Sequence, residues 1–147
     1  MINISFYPPL EKKMPEIRDF LDKKGVKYSV SETAEKFTMK QTLDRQKDAS
    51  YFYRCLQSRC NNFYDGKLAA CFLPFTTKYF NESFAGQLKQ PLPEDGYIDI
   101  MRDDVTVEEL KRTLLTPFER CMYCTDAKEV DWEIIGKEKK ISDWVQE

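Results

Sequence analysis

The sequence contains no histidine among its 147 residues. This absence excludes catalytic triads that depend on histidine, and it equally excludes a cysteine–histidine nucleophile pair. It also limits the kinds of metal site that the chain can build, because imidazole is one of the common protein ligands. Any metal site in this protein has to be rich in thiolates.

The sequence also lacks a dominant charge and a long apolar run. It has 23 basic and 25 acidic residues, for a net charge of −2, and no segment is strongly basic. We therefore expect no binding of nucleic acid or of anionic lipid. No apolar run approaches the roughly 18 residues of a transmembrane helix, and the start, MINISFYPPL, does not resemble a secretory signal. The expectation is a cytoplasmic protein without membrane contact.

What the chain does contain is five cysteines. In a protein without an export signal, cysteines indicate metal binding or catalysis rather than a disulfide framework, because the cytosol keeps thiols reduced. The five are Cys55, Cys60, Cys71, Cys121 and Cys124. Their spacing carries most of the functional information in the sequence.

The first cysteine segment contains the dipeptide Asp65-Gly66 between Asn62–Tyr64 and Lys67–Ala69. This pattern predicts a β-hairpin with a type I′ turn, since both central residues need positive φ. Pairing the strands outward from the turn places Cys60 directly opposite Cys71, with Cβ atoms roughly 4.5–5.5 Å apart. Two sulfurs at this distance could bind one metal centre or bond to each other.

The second cysteine motif is Cys121-Met-Tyr-Cys124, a CxxC that recurs in zinc and iron–sulfur sites. Together with Cys60 and Cys71 it supplies four thiolates, which suits one structural zinc or one four-iron cluster. The spacing does not distinguish these two. Cys55 is either a further ligand, a spare thiol or a core residue. Buried thiols that only pack and a thiol oxidoreductase at the CxxC are the competing interpretations.

The N-terminal part of the sequence predicts a strand–helix–strand unit. Alternating residues predict a strand over Ile2–Tyr7, an apolar stripe predicts a helix over Lys13–Lys24, and Val26–Val30 follows as a second strand. Gly25 suits the left-handed end of the helix. Such a unit needs a larger parallel sheet to bury it, so we expect the chain to be the C-terminal part of a longer protein.

The remaining patterns are weaker. Ser31–Ser50 is polar and is predicted to be a linker, and the aromatic residues of Phe72–Phe84 are expected to be core rather than a shield for a metal site. A capping box at Thr106 opens a helix through Leu115. Other expectations are a strand over Tyr97–Ile100, packing anchors at Trp132 and Trp144, and a solvated run over Lys137–Lys140.

Several segments together resemble the C-terminal part of radical S-adenosylmethionine proteins that have a SPASM- or twitch-like auxiliary iron–sulfur domain. The segments are Cys60–Cys71 (CNNFYDGKLAAC), Phe80–Phe84 (FNESF), Tyr97–Ile100 (YIDI), Cys121–Cys124 (CMYC) and Ser142–Trp144 (SDW). The start Asn3–Pro9 (NISFYPP) similarly resembles the last part of the partial βα barrel of that family. The resemblance covers nearly the whole chain.

This resemblance implies an α+β fold. Residues 1–45 would be the terminal βα unit of a partial βα barrel, and residues 46–147 a small, cysteine-rich hairpin and helix domain that binds a [4Fe–4S] cluster. The implied ligands are Cys71, which completes a Gly-x-x-x-x-Cys motif, together with Cys121 and Cys124. The first ligand is expected to be Cys60, with Cys55 as the alternate or additional ligand.

One departure from the family limits the functional expectation. The CxxxCxxC motif whose cluster cleaves S-adenosylmethionine is missing, because the five cysteines do not have that spacing. The chain is therefore expected to be non-catalytic by itself and to serve a radical enzyme as an electron relay, a substrate anchor or a structural domain. Its partners would be a catalytic half, or a peptide or small-molecule substrate. The alternative is a zinc-stabilised four-cysteine binding module without enzymatic activity.

Overall fold

The protein is described here by a computed structural model that covers residues 1–132, 136 and 138–146. It contains both helices and strands, so the α+β class predicted from the sequence is confirmed. The chain divides into two compact units, each made of two segments. Unit 1 comprises Met1–Met39 and Lys128–Lys137, and unit 2 comprises Lys40–Ala127 and Glu138–Glu147. The sequence had predicted a single division, after residue 45.

Unit 1 contains the predicted strand–helix–strand unit. Strand β1 spans Ile2–Phe6, helix α1 spans Met14–Lys23 and strand β2 spans Tyr28–Thr33. The two strands pair in parallel, which requires a crossover connection such as α1. Gly25 has a φ of 64° and its N–H bonds to the carbonyl of Asp22, as expected for a left-handed helix end.

The prediction of a linker over Ser31–Ser50 is wrong for the first part of that segment. Strand β2 continues to Thr33, and a further strand, β3, spans Lys36–Gln41. β3 pairs with β7, which spans Cys124–Asp131, in a two-stranded sheet. The strand was missed because polar side chains outnumber apolar ones there, although Phe37 and Met39 show the alternation of a strand.

Unit 2 contains a three-stranded antiparallel sheet of β4 (Asn62–Tyr64), β5 (Lys67–Ala69) and β6 (Tyr97–Asp99), in that order. The Asp65-Gly66 turn has the positive φ values that were predicted, 47° and 73°. The strands pair in the predicted register, but the ladder ends where Asn62 pairs with Ala69.

The expectation that Cys60 lies opposite Cys71 is therefore wrong. A 3₁₀ turn over Leu56–Arg59 precedes Cys60, whose own ψ of 75° does not continue the strand. Strand pairing cannot be extrapolated through a residue that leaves the extended conformation.

Two helices complete unit 2. Helix α2 spans Leu73–Phe84, so the aromatic segment is helical; Phe84 is buried, whereas Tyr79 is exposed. Helix α3 spans Val107–Leu115, and the hydroxyl of Thr106 accepts the predicted capping bond from the N–H of Glu109.

Among the described residues of the C-terminal segment, Val145 is buried, with 3% of its surface exposed. In unit 1 the ring of Trp132 stacks on that of Tyr7 with centroids 6.1 Å apart, whereas Trp144 is 42% exposed. Lys139 and Lys140 are exposed as expected, and Lys137 lies outside the described residues. Within the described part of the chain, no helix is both long and apolar enough to span a bilayer.

Candidate metal centre

Four of the five cysteines line one small cavity in unit 2. They are Cys55, Cys71, Cys121 and Cys124. The rest of the wall is mainly apolar, with Leu73 and Phe118 among its members, and Lys40 also reaches the cavity. The free volume is about 20 Å³, roughly the space of one water molecule.

The four thiols reach the cavity from separate segments of the chain. Cys55 lies between the 3₁₀ turns Ser50–Arg54 and Leu56–Arg59. Cys71 lies in the short link between β5 and α2. Cys121 belongs to the 3₁₀ turn Glu119–Tyr123, and Cys124 is the first residue of β7. A group bound to all four would tie these segments together.

Cys60 does not join the other cysteines. Its side chain is exposed, and its thiol approaches the carbonyl of Leu56 rather than the cavity. Cys55, the alternate first ligand, occupies the place in the cavity that had been expected for Cys60. All five cysteines are free thiols, so the disulfide considered for Cys60 and Cys71 is not formed.

The Cys55 thiol has a charged hydrogen-bond donor. The ammonium of Lys40 lies 3.0 Å from the Cys55 sulfur, and both side chains are buried. Burial alone raises the pKa of the Cys55 thiol, but the hydrogen bond and the positive charge of Lys40 outweigh it, so this pKa falls below its usual value. Cys55 is therefore the cavity thiol that ionises most readily.

The other three cavity thiols are held in the protonated form. Burial raises the pKa of Cys71, raises that of Cys121 to about 12 and raises that of Cys124 to about 11. Buried thiols of this kind are inert as nucleophiles. Metal binding would displace their protons, since the thiolate is the form that binds a metal.

A second cation lies beside the thiols. Arg120 is only 1% exposed, and its guanidinium donates to Thr77 Oγ1 at 3.2 Å, to the Tyr123 carbonyl at 3.4 Å and to Gln41 Oε1 at 2.6 Å. All three acceptors are neutral. Burial lowers the pKa of Arg120, and the largest opposing influences come from the thiols of Cys124, Cys71 and Cys121.

Sequence reasoning named Cys71, Cys121 and Cys124, gave Cys55 only as the alternate to Cys60, and missed the two cations. Lys40 lies in β3, inside the segment taken for a linker, and Arg120 directly precedes the CxxC motif. The available signal for Lys40 was the alternation of Phe37 and Met39. No comparable pattern marks Arg120, because two of its three acceptors, on Gln41 and Thr77, lie far away in the sequence.

Cysteine is the ligand type of thiolate-bound metal groups, but the spacing of the four thiols in this structure does not form a metal site. Over residues 1–132, 136 and 138–146, no three cysteine, aspartate or glutamate side chains are grouped so that they could hold a metal ion. The four thiols thus share a cavity without sharing a coordination sphere. A metal group would occupy space that their side chains now fill, so the thiols would have to turn around it.

Comparison with known proteins adds no relative. The chain matches no model of a protein family, and no curated protein has a detectably similar sequence.

Proposed function

We propose that unit 2 is an auxiliary iron–sulfur domain in which Cys55, Cys71, Cys121 and Cys124 bind a [4Fe–4S] cluster. The observation that carries this proposal is the meeting of four thiols, from four separate segments, in one cavity beside two buried cations. Four thiolates are the usual ligand set of such a cluster. Cys55 takes the place expected for Cys60, because Cys60 is exposed and outside the cavity.

The two buried cations, Lys40 and Arg120, support the proposal that the cavity binds a negatively charged group. An isolated cation is costly to bury unless a negative charge compensates it. Lys40 is 8% exposed and Arg120 is 1% exposed, and neither takes part in a carboxylate ion pair within the described part of the chain. The Asp95 carboxylate acts electrostatically on Arg120 without forming an ion pair, and an ionised Cys55 would act on Lys40. A cluster held by four thiolates has a net negative charge and would add to this compensation.

The choice of a cluster over a single zinc ion follows the sequence resemblance to auxiliary iron–sulfur domains. Zinc and a four-iron cluster both accept four thiolates, so the set of four cysteines in the cavity suits either group.

The cluster, when bound, would supply one-electron chemistry at the cavity. The chain's own residues would fix it through four segments, cover it with apolar side chains such as Leu73 and Phe118, and compensate its charge with Lys40 and Arg120. Ligation by four thiolates leaves no iron open. This favours an electron-relay or structural role over direct anchoring of a substrate.

Unit 1 fits the proposal as the last βα unit of a partial barrel. Its β1 and β2 are parallel, as they are in a barrel, and the apolar residues Ile2 and Phe20 stay exposed. The partner in this proposal is a radical S-adenosylmethionine catalytic half that this chain lacks, and the peptide or small-molecule substrate of that enzyme. The proposal places the protein in the cytoplasm, without nucleic acid or membrane contact.

A thiol oxidoreductase at Cys121 and Cys124 is a poorer explanation. Such enzymes need a thiol of low pKa at a helix N-terminus, whereas burial raises the pKa of Cys121 to about 12 and that of Cys124 to about 11. Cys121 also lies in a short 3₁₀ turn rather than at the start of an α-helix.

The experiment that tests the proposal is metal analysis of anaerobically purified protein with its visible spectrum. About four irons and four sulfides per chain, the content of one cubane, with broad visible absorption, would support the cluster. About one zinc without iron would make unit 2 a zinc-stabilised module. Protein without either metal would make the cavity thiols ordinary core residues.

A further inference from the structure

We propose that Lys40 raises the reduction potential of a [4Fe–4S] cluster bound in the cavity by donating a charged hydrogen bond to the sulfur of Cys55. This inference rests on the proposed function, and it adds a regulating residue that the sequence motifs did not indicate. Lys40 is a positioning and tuning residue, since it contacts a ligand sulfur rather than a reacting substrate.

The contact is specific to one thiol. The Lys40 ammonium lies 3.0 Å from the Cys55 sulfur, well within hydrogen-bond range for a sulfur acceptor. The side chain is buried, so water screens this contact little. Hydrogen bonds with a charged donor are about twice as strong as neutral ones. Cys55 therefore differs in electrostatic environment from the three other cavity thiols.

The position of Lys40 in β3 restricts its alternatives. Its neighbour Gln41 is engaged by Arg120, and the thiol of Cys55 is the acceptor that the ammonium reaches. A lysine side chain is long and normally extends to water, and no carboxylate pairs with Lys40 among the described residues. Its burial against a sulfur is the arrangement that needs an explanation.

Arg120 provides an internal comparison. Arg120 is also buried, but its hydrogen bonds go to neutral oxygen atoms of Thr77, Tyr123 and Gln41. Arg120 can therefore act on the cavity only through its charge. Lys40 acts through its charge and through a direct bond to sulfur, and so should have the larger influence.

The direction of the effect follows from electrostatics. Reduction adds one negative charge to the bound group, and a nearby positive charge stabilises the more negative state. Hydrogen bonds to the sulfurs, net charge and solvent exposure are the factors that set the potentials of iron–sulfur clusters. Lys40 supplies two of these factors at one position, and both raise the potential.

The test compares Lys40→Met and Lys40→Gln with the control Lys47→Met, each loaded with iron and sulfide without oxygen. Methionine keeps an unbranched side chain one atom shorter than that of lysine and removes both the charge and the donor, whereas glutamine keeps a neutral donor. Lys47 is exposed, so its replacement changes the net charge by the same amount away from the cavity. Iron content and circular dichroism establish that each variant is loaded and folded.

Two measurements then address Lys40. A spectroscopically followed redox titration should give a more negative potential for Lys40→Met, an intermediate one for Lys40→Gln and an unchanged one for Lys47→Met. Resonance Raman spectra should show a shifted iron–sulfur stretching band for Lys40→Met and none for Lys47→Met. A purely structural role of Lys40 would move neither quantity in a variant that is folded and fully loaded.

The other outcomes overturn separate statements. Iron-loaded Lys40→Met with the wild-type potential would contradict this inference and leave the proposed function intact. Loss of iron from both Lys40 variants with wild-type circular dichroism would also contradict it, because Lys40 would then serve assembly rather than potential. Wild-type protein that takes up no iron would contradict the proposed function itself.

Discussion

The two units of the chain differ in how they cover their apolar residues. Of the fifteen buried hydrophobic residues among those described, only Met14 belongs to unit 1. The other fourteen belong to unit 2, and four of them are the cavity cysteines. In unit 1, by contrast, Phe20 on the apolar stripe of α1 is 60% exposed.

Unit 2 has a hydrophobic core. Unit 1 has the apolar periodicity of elements that pack on a core, but too few layers of structure to form one. Unit 1 contains the pair β1–β2, parts of the pair β3–β7 and one helix. These elements are too few to cover both faces of β1–β2, whereas parallel sheets normally have both faces covered. Unit 2 instead packs its thiols with Phe52, Ala70 and Leu73 in neighbouring apolar clusters. The centre of unit 2 is therefore also its candidate site, so changes there should affect stability and binding together.

The largest expected effect is that of Cys71→Ser in the metal-loaded protein. It should abolish metal binding and destabilise unit 2, because it removes one ligand from a site that joins several segments, and metal binding contributes directly to folding free energy. Iron analysis and chemical denaturation measure the two effects. Full metal content in this variant would remove Cys71 from the ligand set.

A difference in reactivity is expected among the cavity thiols of the metal-free protein. At pH 8 Cys55 should react with iodoacetamide at least about a hundred times faster than Cys121 or Cys124, since only the thiolate attacks and the pKa values of those two thiols are about 12 and about 11. Mass spectrometry of timed samples gives the rates.

The pH dependence checks the cause of that difference. Raising the pH should speed the reactions of Cys121 and Cys124 about tenfold per unit up to their own pKa values, whereas the Cys55 rate should level off at a lower pH. In Lys40→Met the Cys55 rate at pH 8 should fall, because the thiol loses the donor that lowers its pKa. Equal rates for Cys55 and Cys121 in the wild type would contradict the electrostatic picture of the cavity.

Arg120→Met should lower the free energy of unfolding by roughly 2–5 kcal/mol, because it leaves buried acceptors without a donor and loses packed volume. The acceptors are those on Thr77, Tyr123 and Gln41. The control Arg112→Met changes an exposed residue of α3 and should cost less than about 0.5 kcal/mol. Equal denaturation curves for the two variants would show that the burial of Arg120 contributes nothing to stability.

The smallest expected effects are in unit 1. Met14→Ala should cost about 2 kcal/mol, at the low end for a buried methionine, because its surroundings are only partly covered. Phe20→Ala should change stability by less than about 0.5 kcal/mol, as for other exposed positions. Denaturation of both variants measures these values. A cost for Phe20→Ala similar to that for Met14→Ala would mean that unit 1 has a core in solution.

The sequence predicted the parts of this molecule that depend on local rules. The Asp65-Gly66 turn, the Thr106 cap and the Gly25 helix end each follow from the conformational preference of one or two residues. The strand–helix–strand order of unit 1 follows from side-chain periodicity over short windows.

The features that depend on long-range packing could not be predicted from the sequence in this way. The choice between Cys55 and Cys60 is decided by a 3₁₀ turn that bends the chain before the hairpin, and no motif marks that turn. The burial of Arg120 depends on acceptors contributed by three separate segments. Lys40 was overlooked because a strand of mostly polar residues resembles a linker when its partner strand is unknown.

The measurement that bears most directly on the proposed site is the iron content of Cys55→Ser and Cys60→Ser, reconstituted side by side without oxygen. The substitution is the same in both, but Cys55 is buried in the cavity and Cys60 is exposed. We expect Cys55→Ser to lose most of its iron and Cys60→Ser to keep the wild-type content. Loss of iron from Cys60→Ser with full retention by Cys55→Ser would contradict the site that the cavity defines.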